Sequence, residues 1–379
     1  MLRALAFLAA LSFALPHADA QFGPQPPNQL YYQTTTVARL NPLGLINFSQ
    51  FTYRRLLFRS NSIFTRDNYI GIGVVPTVSP AFGRIGAQLE FQPLPFLRFW
   101  ATYEFLGYFG TFDYMQSFAN ANAEYSDSDL DDLDPYSMTG TQLTLSGTLQ
   151  AKVGPLAVRS VLRATRPDYD LRGDDPVFYD ILYDSMIENR NWFFNNDFDL
   201  LYLHQERFTV GIRYTWTRAF LSEDAFPSVD CTAMACRGDI ITHRLGPIFA
   251  YTHFKEYKAR YNGPTFLVAV NWWLKHPYRT GQDVSQAFPY VILGFSFSGD
   301  LLAPPRRDRE EEDVFVPAPD PEPEPEPEPE PVVEPEPEPD VDVDVDVDAE
   351  GDADVDVDVD VDVDVDDDDD DDDMIEDDE

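Results

Sequence analysis

Long apolar runs, cysteine and histidine, and basic residues near the C-terminus are all scarce in this sequence. After the first 20 residues no apolar run reaches about 18 residues, so we predict no transmembrane helix. Only two of the 379 residues are cysteines and only five are histidines, which argues against a disulfide-rich scaffold or a multi-ligand metal centre. Basic residues are almost missing from positions 308–379, where Arg309 stands among 39 acids.

The uneven distribution of charge divides the chain into a body and a tail. The net charge is −40, yet residues 1–307 hold 28 acids against 26 lysines and arginines. The body is therefore close to neutral, and the low overall isoelectric point describes the tail. Because no basic patch is present, we predict no nucleic-acid partner.

The first 20 residues, MLRALAFLAALSFALPHADA, have the pattern of a secretory signal peptide. Arg3 precedes an apolar stretch too short to span a bilayer, and Ala18-Asp19-Ala20 is a small-x-small cleavage site. We expect residues 1–20 to be removed and the mature chain to begin at Gln21. An exported chain meets an oxidising compartment, so Cys231 and Cys236 in VDCTAMACRG are predicted to form a disulfide.

Strict alternation of apolar and polar residues is the main pattern of the body and is typical of strands with one apolar face. In RIGAQLEFQPLPFLRFWATYEF, residues 84–105, both arms of a hairpin alternate in this way around Pro93 and Pro95. About twelve such segments occur, near residues 30–40, 47–58, 69–77, 82–92, 96–108, 139–153, 156–166, 191–204, 207–219, 239–254, 265–275 and 287–298.

The connections between these segments are of two kinds. Tight turns are predicted at 93–95, 154–155 and 205–206, and long polar loops at 109–138, 167–190, 220–238 and 276–286. Short turns at one end and long loops at the other are typical of outer-membrane barrels, and an even strand count puts both termini at the same end. A soluble sandwich could produce one hairpin of this type, but the alternation and the loop pattern together favour a barrel in lipid.

Residues 21–300 therefore resemble Gram-negative outer-membrane β-barrel proteins. The segment from Arg66 to Phe118 is also similar to uncharacterised barrel proteins of myxobacteria-like bacteria. The resemblance implies an all-β fold, a transmembrane antiparallel up-and-down barrel of about twelve strands in the cell outer membrane, surrounded by its lipid. It differs from the usual pattern in that some eighty residues follow the last strand, whereas the common assembly signal ends the chain with an aromatic residue.

Charged residues on the polar face of the strands should point into the barrel. They are Arg84, Arg98, Arg159, Arg163, Arg213, Arg244, Glu90, Glu104, Asp197 and Asp199. Two functions follow from them. An excess of arginine would give a narrow, porin-like channel for small solutes that weakly favours anions. Alternatively, these charges pair and plug the bore, leaving a structural or tethering barrel.

The histidines do not form a recognisable catalytic set. A phospholipase-type barrel needs a histidine two residues before a serine nucleophile, and none of the five meets this condition. His276 shares a loop with Asp283, which alone does not make a catalytic pair. The acidic run at 124–134 lacks the glycine and terminal glutamate of a calcium-binding loop. We predict no catalytic residue, no metal site, no cofactor and no enzymatic activity.

The tail is predicted to be extended and disordered. Residues 301–340 form a Pro/Glu-rich linker, and residues 341–379 form an Asp/Val acidic tail whose charge repulsion prevents a packed core. We expect the tail to be periplasmic. Two interpretations remain open: a solubilising segment, or one that binds Ca²⁺, Mg²⁺ or a cationic periplasmic partner and performs the main task of a plugged barrel.

Overall fold

The computed structural model describes residues 26–303 except positions 61, 63, 113, 206, 228, 232–235 and 256–258. The predicted signal peptide at 1–20, nearly all of the linker at 301–340 and the acidic tail at 341–379 lie outside the described residues.

Within this part of the chain the structure is almost entirely β. The strands are β1 (Asn28–Leu40), β2 (Gly44–Leu56), β3 (Tyr69–Val74), β4 (Thr77–Val78), β5 (Phe82–Leu94), β6 (Leu97–Phe109), β7 (Met115–Phe118), β8 (Ser137–Val153), β9 (Leu156–Tyr169), β10 (Val177–Asp180), β11 (Ser185–Glu188), β12 (Phe193–His204), β13 (Phe208–Ala219), β14 (Ile240–Thr252), β15 (Asn262–Lys275) and β16 (Tyr290–Asp300). A short helix, α1 (Asp127–Asp131), lies between β7 and β8. No helix among the described residues is long and apolar enough to cross a bilayer.

The main sheet is a closed antiparallel barrel. Each long strand pairs with its neighbours along the chain, and β1 pairs with both β2 and β16, which closes the sheet. β3 and β4 occupy one position, because both pair with β2 and β5. They are separated by Val75 and Pro76, and proline has no N–H to donate to a ladder. The barrel therefore has twelve strand positions, which confirms the predicted strand count, with strand ends within three residues of those predicted.

The outer face of the sheet is apolar and the inner face is polar, which is the reverse of a soluble protein. On β5 the apolar residue Leu89 is 59% exposed, whereas its neighbour Glu90 is 1% exposed. The same alternation of exposed apolar and buried polar residues recurs around the barrel. A closed sheet with an apolar outer face satisfies every strand hydrogen bond internally, as a bilayer requires. The chain thus folds as a transmembrane β-barrel.

The two ends of the barrel differ. One end, the loop end, carries the long segments 110–136, 170–192, 220–239 and 276–289. The other, the turn end, carries the tight connections at 95–96, 154–155 and 205–207, together with two longer ones at 57–68 and 253–261. β1 begins and β16 ends at the turn end. This arrangement confirms the predicted contrast between tight turns and long loops.

The described residues within 110–136, 170–192, 220–239 and 276–289 pack at the loop end, and we call them the loop plug. β7, β10 and β11 form a separate three-stranded sheet within it. Its buried apolar residues, among them Met115, Phe178 and Met186, form one cluster with residues such as Phe82 and Leu106 on the inner wall of the barrel. The predicted disulfide joins Cys231 and Cys236 in this plug.

Substituting an outward-facing residue tests the assignment of the apolar face to lipid. Leu89 lies near the middle of the 13-residue strand β5, and Leu89→Arg should cost about 2–4 kcal/mol at that depth. We expect little heat-modifiable, folded protein on gels after this change. Val153→Arg is the matched control, because Val153 lies at the tight turn after β8 and is 80% exposed. Equal folding of both variants would contradict the assignment.

Candidate functional site

The interior of the barrel is the candidate site, because the polar and charged side chains converge there. All ten charged residues singled out from the sequence lie on the inward-facing side of their strands. The structure brings six of them together in two ion-paired clusters. It leaves the other four without an oppositely charged group within 4 Å among the described residues.

The first cluster is centred on Glu90. Its carboxylate accepts a hydrogen bond from Arg98 Nη2 at 2.7 Å and from Arg54 Nε at 3.0 Å. Gln88 Nε2 donates to the same carboxylate at 2.6 Å. The guanidinium of Arg54 also lies 3.7 Å from the centre of the Tyr31 ring. Two arginines therefore share one buried acid, and charge-assisted bonds of this kind offset the loss of hydration.

Arg54 is a site residue that the sequence analysis missed. It lies in the predicted segment 47–58, where it is followed directly by Arg55. Only one of two successive residues in a strand can face inward. Continuing the alternation forwards from Thr52, which is fully buried, assigns Arg54 to the interior.

The second cluster is centred on Asp199. Arg159 Nη2 donates to Oδ2 at 2.7 Å, and Arg213 Nε donates to Oδ1 at 2.6 Å. Arg213 also approaches Asp197, with Nη1 4.0 Å from Oδ2, and Thr215 donates to Asp197. The three strands β9, β12 and β13 are thus joined through one carboxylate, and Asp199 is fully buried.

Four interior charges have no such partner. Arg84, Arg163 and Arg244 form no ion pair with any described residue. Glu104 accepts only a long bond of 3.5 Å from Gln142 Nε2. The guanidinium of Arg244 instead lies 4.3 Å from the centre of the Tyr290 ring. The unpaired set holds three cations and one acid, and two further acids interact with it electrostatically at longer range: Asp180 with Arg84, and Asp197 with Arg163.

The loop plug is fixed by a cluster of polar groups that we call the latch: Asp184, Arg279, His276 and Asp127. Asp184 is at the turn of the β10–β11 hairpin, with a φ of 50°. It pairs with Arg279 and accepts a hydrogen bond from Tyr179 at 2.7 Å. Arg279 Nη2 also donates to Asp127 Oδ1 at 2.8 Å. Nη1 of Arg279 donates to Asn41 Oδ1 at 2.8 Å, so four separate parts of the chain meet at one buried guanidinium.

His276 completes the latch as a neutral ring. Nε2 donates to the backbone oxygen of Asp184 at 2.7 Å. Nδ1 accepts from the backbone N–H groups of Tyr278 and Arg279 at 3.1 and 3.2 Å. A protonated ring would have no acceptor for these two N–H groups. Burial lowers the pKa of His276 despite the opposing effect of Asp184, which agrees with a neutral ring.

Asp184 is ionised within the latch. Burial opposes ionisation, but the Arg279 charge and hydrogen bonds from Arg279 and Tyr179 hold the pKa of the Asp184 carboxyl below its usual value. Asp283, which shares a loop with His276, does not contact it. Its carboxylate accepts a hydrogen bond from Asp127 N instead. The acid next to His276 is separated from it by 92 positions, so spacing in the sequence could not identify it.

The other histidines are not grouped. His243 lies on the outer face of β14, where its Nδ1 is 2.7 Å from the Tyr214 hydroxyl. His204 and His253 are at the turn end, and His17 lies outside the described residues. Among the described residues, no three or more His, Cys, Asp or Glu side chains are arranged to hold a metal ion. The acidic run at 124–134 contributes instead to α1, which begins with a capping box at Ser126, and to the latch.

Comparison with solved structures finds other outer-membrane proteins. The chain is similar to OccAB1 of Acinetobacter baumannii, with 10% identity and a TM-score of 0.35 over 67% of this chain and 57% of that one. It thus spans a little over half the length of OccAB1. It is also similar to the outer membrane protein Omp33 of the same organism, with 10% identity and a TM-score of 0.30 over 73% and 100% of the two chains.

A third similar structure is LpxR from Salmonella typhimurium, with 7% identity and a TM-score of 0.31 over 71% and 99% of the two chains. At such identities and TM-scores these likenesses carry no argument about activity. No protein-family profile and no curated protein matches the chain. The narrower resemblance of residues 66–118 to barrel proteins of myxobacteria-like bacteria is not confirmed.

The substitution Asp184→Asn should loosen the loop plug. Asparagine also adopts a positive φ readily, so the change removes charge without straining the turn. It leaves Arg279 with Asp127 as its one carboxylate partner among the described residues, and we expect a loss of about 3 kcal/mol in the local opening free energy. Hydrogen exchange of peptides covering 177–188 should be faster. Asp168→Asn is the control, because its pair with Arg190 is about half exposed and worth less than about 1 kcal/mol.

The latch should also weaken in acid. His276 binds a proton less readily in the closed plug than when released, so the released form binds more protons below the ordinary pKa of 6.5. Stability of the closed form is complete above that pH and falls as the pH drops through it. Exchange in 177–188, corrected for intrinsic rates, should rise between pH 7.5 and pH 5. His276→Gln should remove this dependence and His204→Gln should not; an unchanged dependence in His276→Gln would contradict the assignment.

Proposed function

We propose that the protein is a narrow outer-membrane channel for small solutes that weakly favours anions, in a form closed by the loop plug. The observation that carries this proposal is the set of three interior arginines without a carboxylate partner: Arg84, Arg163 and Arg244. A structural barrel gains nothing from buried unpaired cations, which are costly. A pore that admits anions uses such groups, because charged side chains along the wall set its selectivity.

The positions of these arginines support a pore. Arg84 is on β5 and Arg244 is on β14, six strand positions apart in a barrel of twelve. They therefore lie on opposite walls of the bore. Arg163 is on β9, midway around the barrel between these two strands. An anion that enters this region would meet positive charge from several sides, together with the acids Glu104 and Asp180 near Arg84.

The chemistry of the latch supports a plug that can be released. The hairpin 177–188 is held by ion pairs and hydrogen bonds as well as by apolar packing, and His276 gains a charge in acid when the plug is released. Because long loops face outward in outer-membrane barrels, we assign the loop end to the cell exterior. The chain leaves β16 at the turn end, so we propose that the acidic tail is periplasmic.

A second candidate function is a plugged barrel that tethers or displays the tail. The observation that favours it is the apolar cluster in the loop plug, which is as extensive as a small protein core. In this case the acidic tail, which lies outside the described residues, would bind Ca²⁺, Mg²⁺ or a cationic partner in the periplasm.

Single-channel recording in planar bilayers under a salt gradient distinguishes the two functions. For a channel we expect discrete steps and a reversal potential that indicates weak anion selectivity. Asp184→Asn should increase the open probability, because it weakens the latch. Combined Arg84→Gln, Arg163→Gln and Arg244→Gln should abolish the selectivity.

Arg218→Gln is the matched control for the arginine variants, because Arg218 faces outward and pairs with Asp239. It should leave the selectivity unchanged. Insertion without conductance in both the wild-type protein and Asp184→Asn would exclude the channel. It would support the plugged barrel, and cation binding by the full chain would become the relevant measurement.

A further inference from the structure

The inner face of β14 and β15 carries a second unusual feature: a group of buried polar atoms without partners. Asn271 is 1% exposed, and neither Nδ2 nor Oδ1 has a hydrogen-bond partner among the described residues. Trp273 is 2% exposed, and its Nε1 donates to no acceptor in the part of the chain that the structure describes. Nε of Arg244 is likewise buried and unbonded. Buried polar groups are nearly always paired, so each of these requires an explanation.

These atoms belong to one place in the barrel. The strand register places Arg244 opposite Trp273 and Asn271 opposite Tyr290. The guanidinium of Arg244 lies 5.4 Å from the centre of the Trp273 ring and 4.3 Å from that of Tyr290. The aromatic rings hold the cation in position through cation–π contacts. Arg244 as a whole is half-buried, whereas its Nε is buried.

The contrast with the rest of the interior is informative. Asp199 compensates Arg159 and Arg213, and Glu90 compensates Arg54 and Arg98. Beside Arg244 there is no such acid among the described residues. The site therefore offers three kinds of donor, namely a guanidinium, an indole N–H and a carboxamide NH₂. It offers one free acceptor, the carboxamide oxygen of Asn271.

The surroundings of this group are apolar. Trp273 and Tyr290 belong to a buried cluster with Val37, Ile248 and Ile292 on the inner wall. A ligand that matches the site carries one negative charge on oxygen atoms, has a donor close to that charge, and has a short apolar group. The single positive charge excludes metal ions and cationic solutes.

We propose that Arg244, Asn271 and Trp273 form a binding site for a small hydroxycarboxylate. The carboxylate accepts from Arg244 and from the Trp273 indole, and the hydroxyl donates to Asn271. The proposal deepens the channel function and rests on it for the route by which the ligand reaches the site. The site also adjoins the latch, because the rings of Trp273 and His276 have centroids 4.6 Å apart.

Equilibrium binding tests this inference separately from conduction. The full mature protein in detergent is titrated with sodium lactate by isothermal calorimetry at constant ionic strength, with propionate and lactamide as comparison ligands. We expect saturable binding of lactate, weaker binding of propionate, which lacks the hydroxyl, and none of lactamide, which lacks the charge. Arg244→Gln should weaken lactate binding about tenfold or more, as for loss of a charge-assisted hydrogen bond.

Neighbouring tryptophans supply a matched pair of variants. Trp273→Phe keeps the aromatic packing and removes the N–H, so lactate binding should weaken several-fold. Trp272→Phe alters the preceding residue, which faces outward, and should leave lactate binding unchanged. Asn271→Leu should make lactate and propionate bind equally. If Arg244→Gln fails to assemble, Trp273→Phe and Asn271→Leu test the proposed site.

The outcomes separate this site from the channel. Absence of saturable lactate binding, or binding that Trp273→Phe and Asn271→Leu leave unaltered, overturns the site even if the protein conducts anions. Binding with the expected pattern in a protein that does not conduct supports the site and overturns only the channel.

Discussion

The pairing of β1 with β16 is the interaction on which the rest of the structure depends. In hydrocarbon an open sheet edge would leave a row of backbone N–H and C=O groups without partners, at several kcal/mol each. Closing the sheet removes both edges at once. Closure also creates an enclosed interior lined by every second residue, and that volume must be filled with protein, water or solute. The charged clusters, the loop plug and the unpaired arginines each occupy part of this enclosed interior.

The two halves of the interior are filled by different means. Toward the turn end, carboxylates shared between pairs of arginines fill the space, and the net cost of burying them is moderate because each acid is fully hydrogen-bonded. At the loop end, apolar side chains from the connecting segments pack on the inner wall, as in a soluble core. Arg84 lies beside the plug cluster with its guanidinium over the Phe82 ring, and the guanidinium of Arg244 contacts the Trp273 and Tyr290 rings.

The strands and their two faces follow from the sequence because a period of two is a local property. Leu89 and Glu90 could be assigned to opposite faces from their neighbours alone. Ion pairing between strands is not a local property. The contacts of Glu90 with both Arg54 and Arg98 depend on the register of four strands. The loop plug was not predicted, because its strands have four residues each and no readable period. Its latch joins His276 to Asp184 across 92 positions, and only the folded chain brings them together.

The Asp199 cluster has a consequence for strand registration. A slip of β12 by one residue against its neighbours would turn every side chain to the opposite face. Asp199 would then face lipid, while Arg159 on β9 and Arg213 on β13 would keep their inward positions and lose their shared partner. The adjacent apolar residues of β12 would tolerate the interior far better than the carboxylate would tolerate hydrocarbon. One buried aspartate thus fixes the register of the three neighbouring strands β9, β12 and β13. It destabilises a barrel with the wrong register more than it stabilises the correct one.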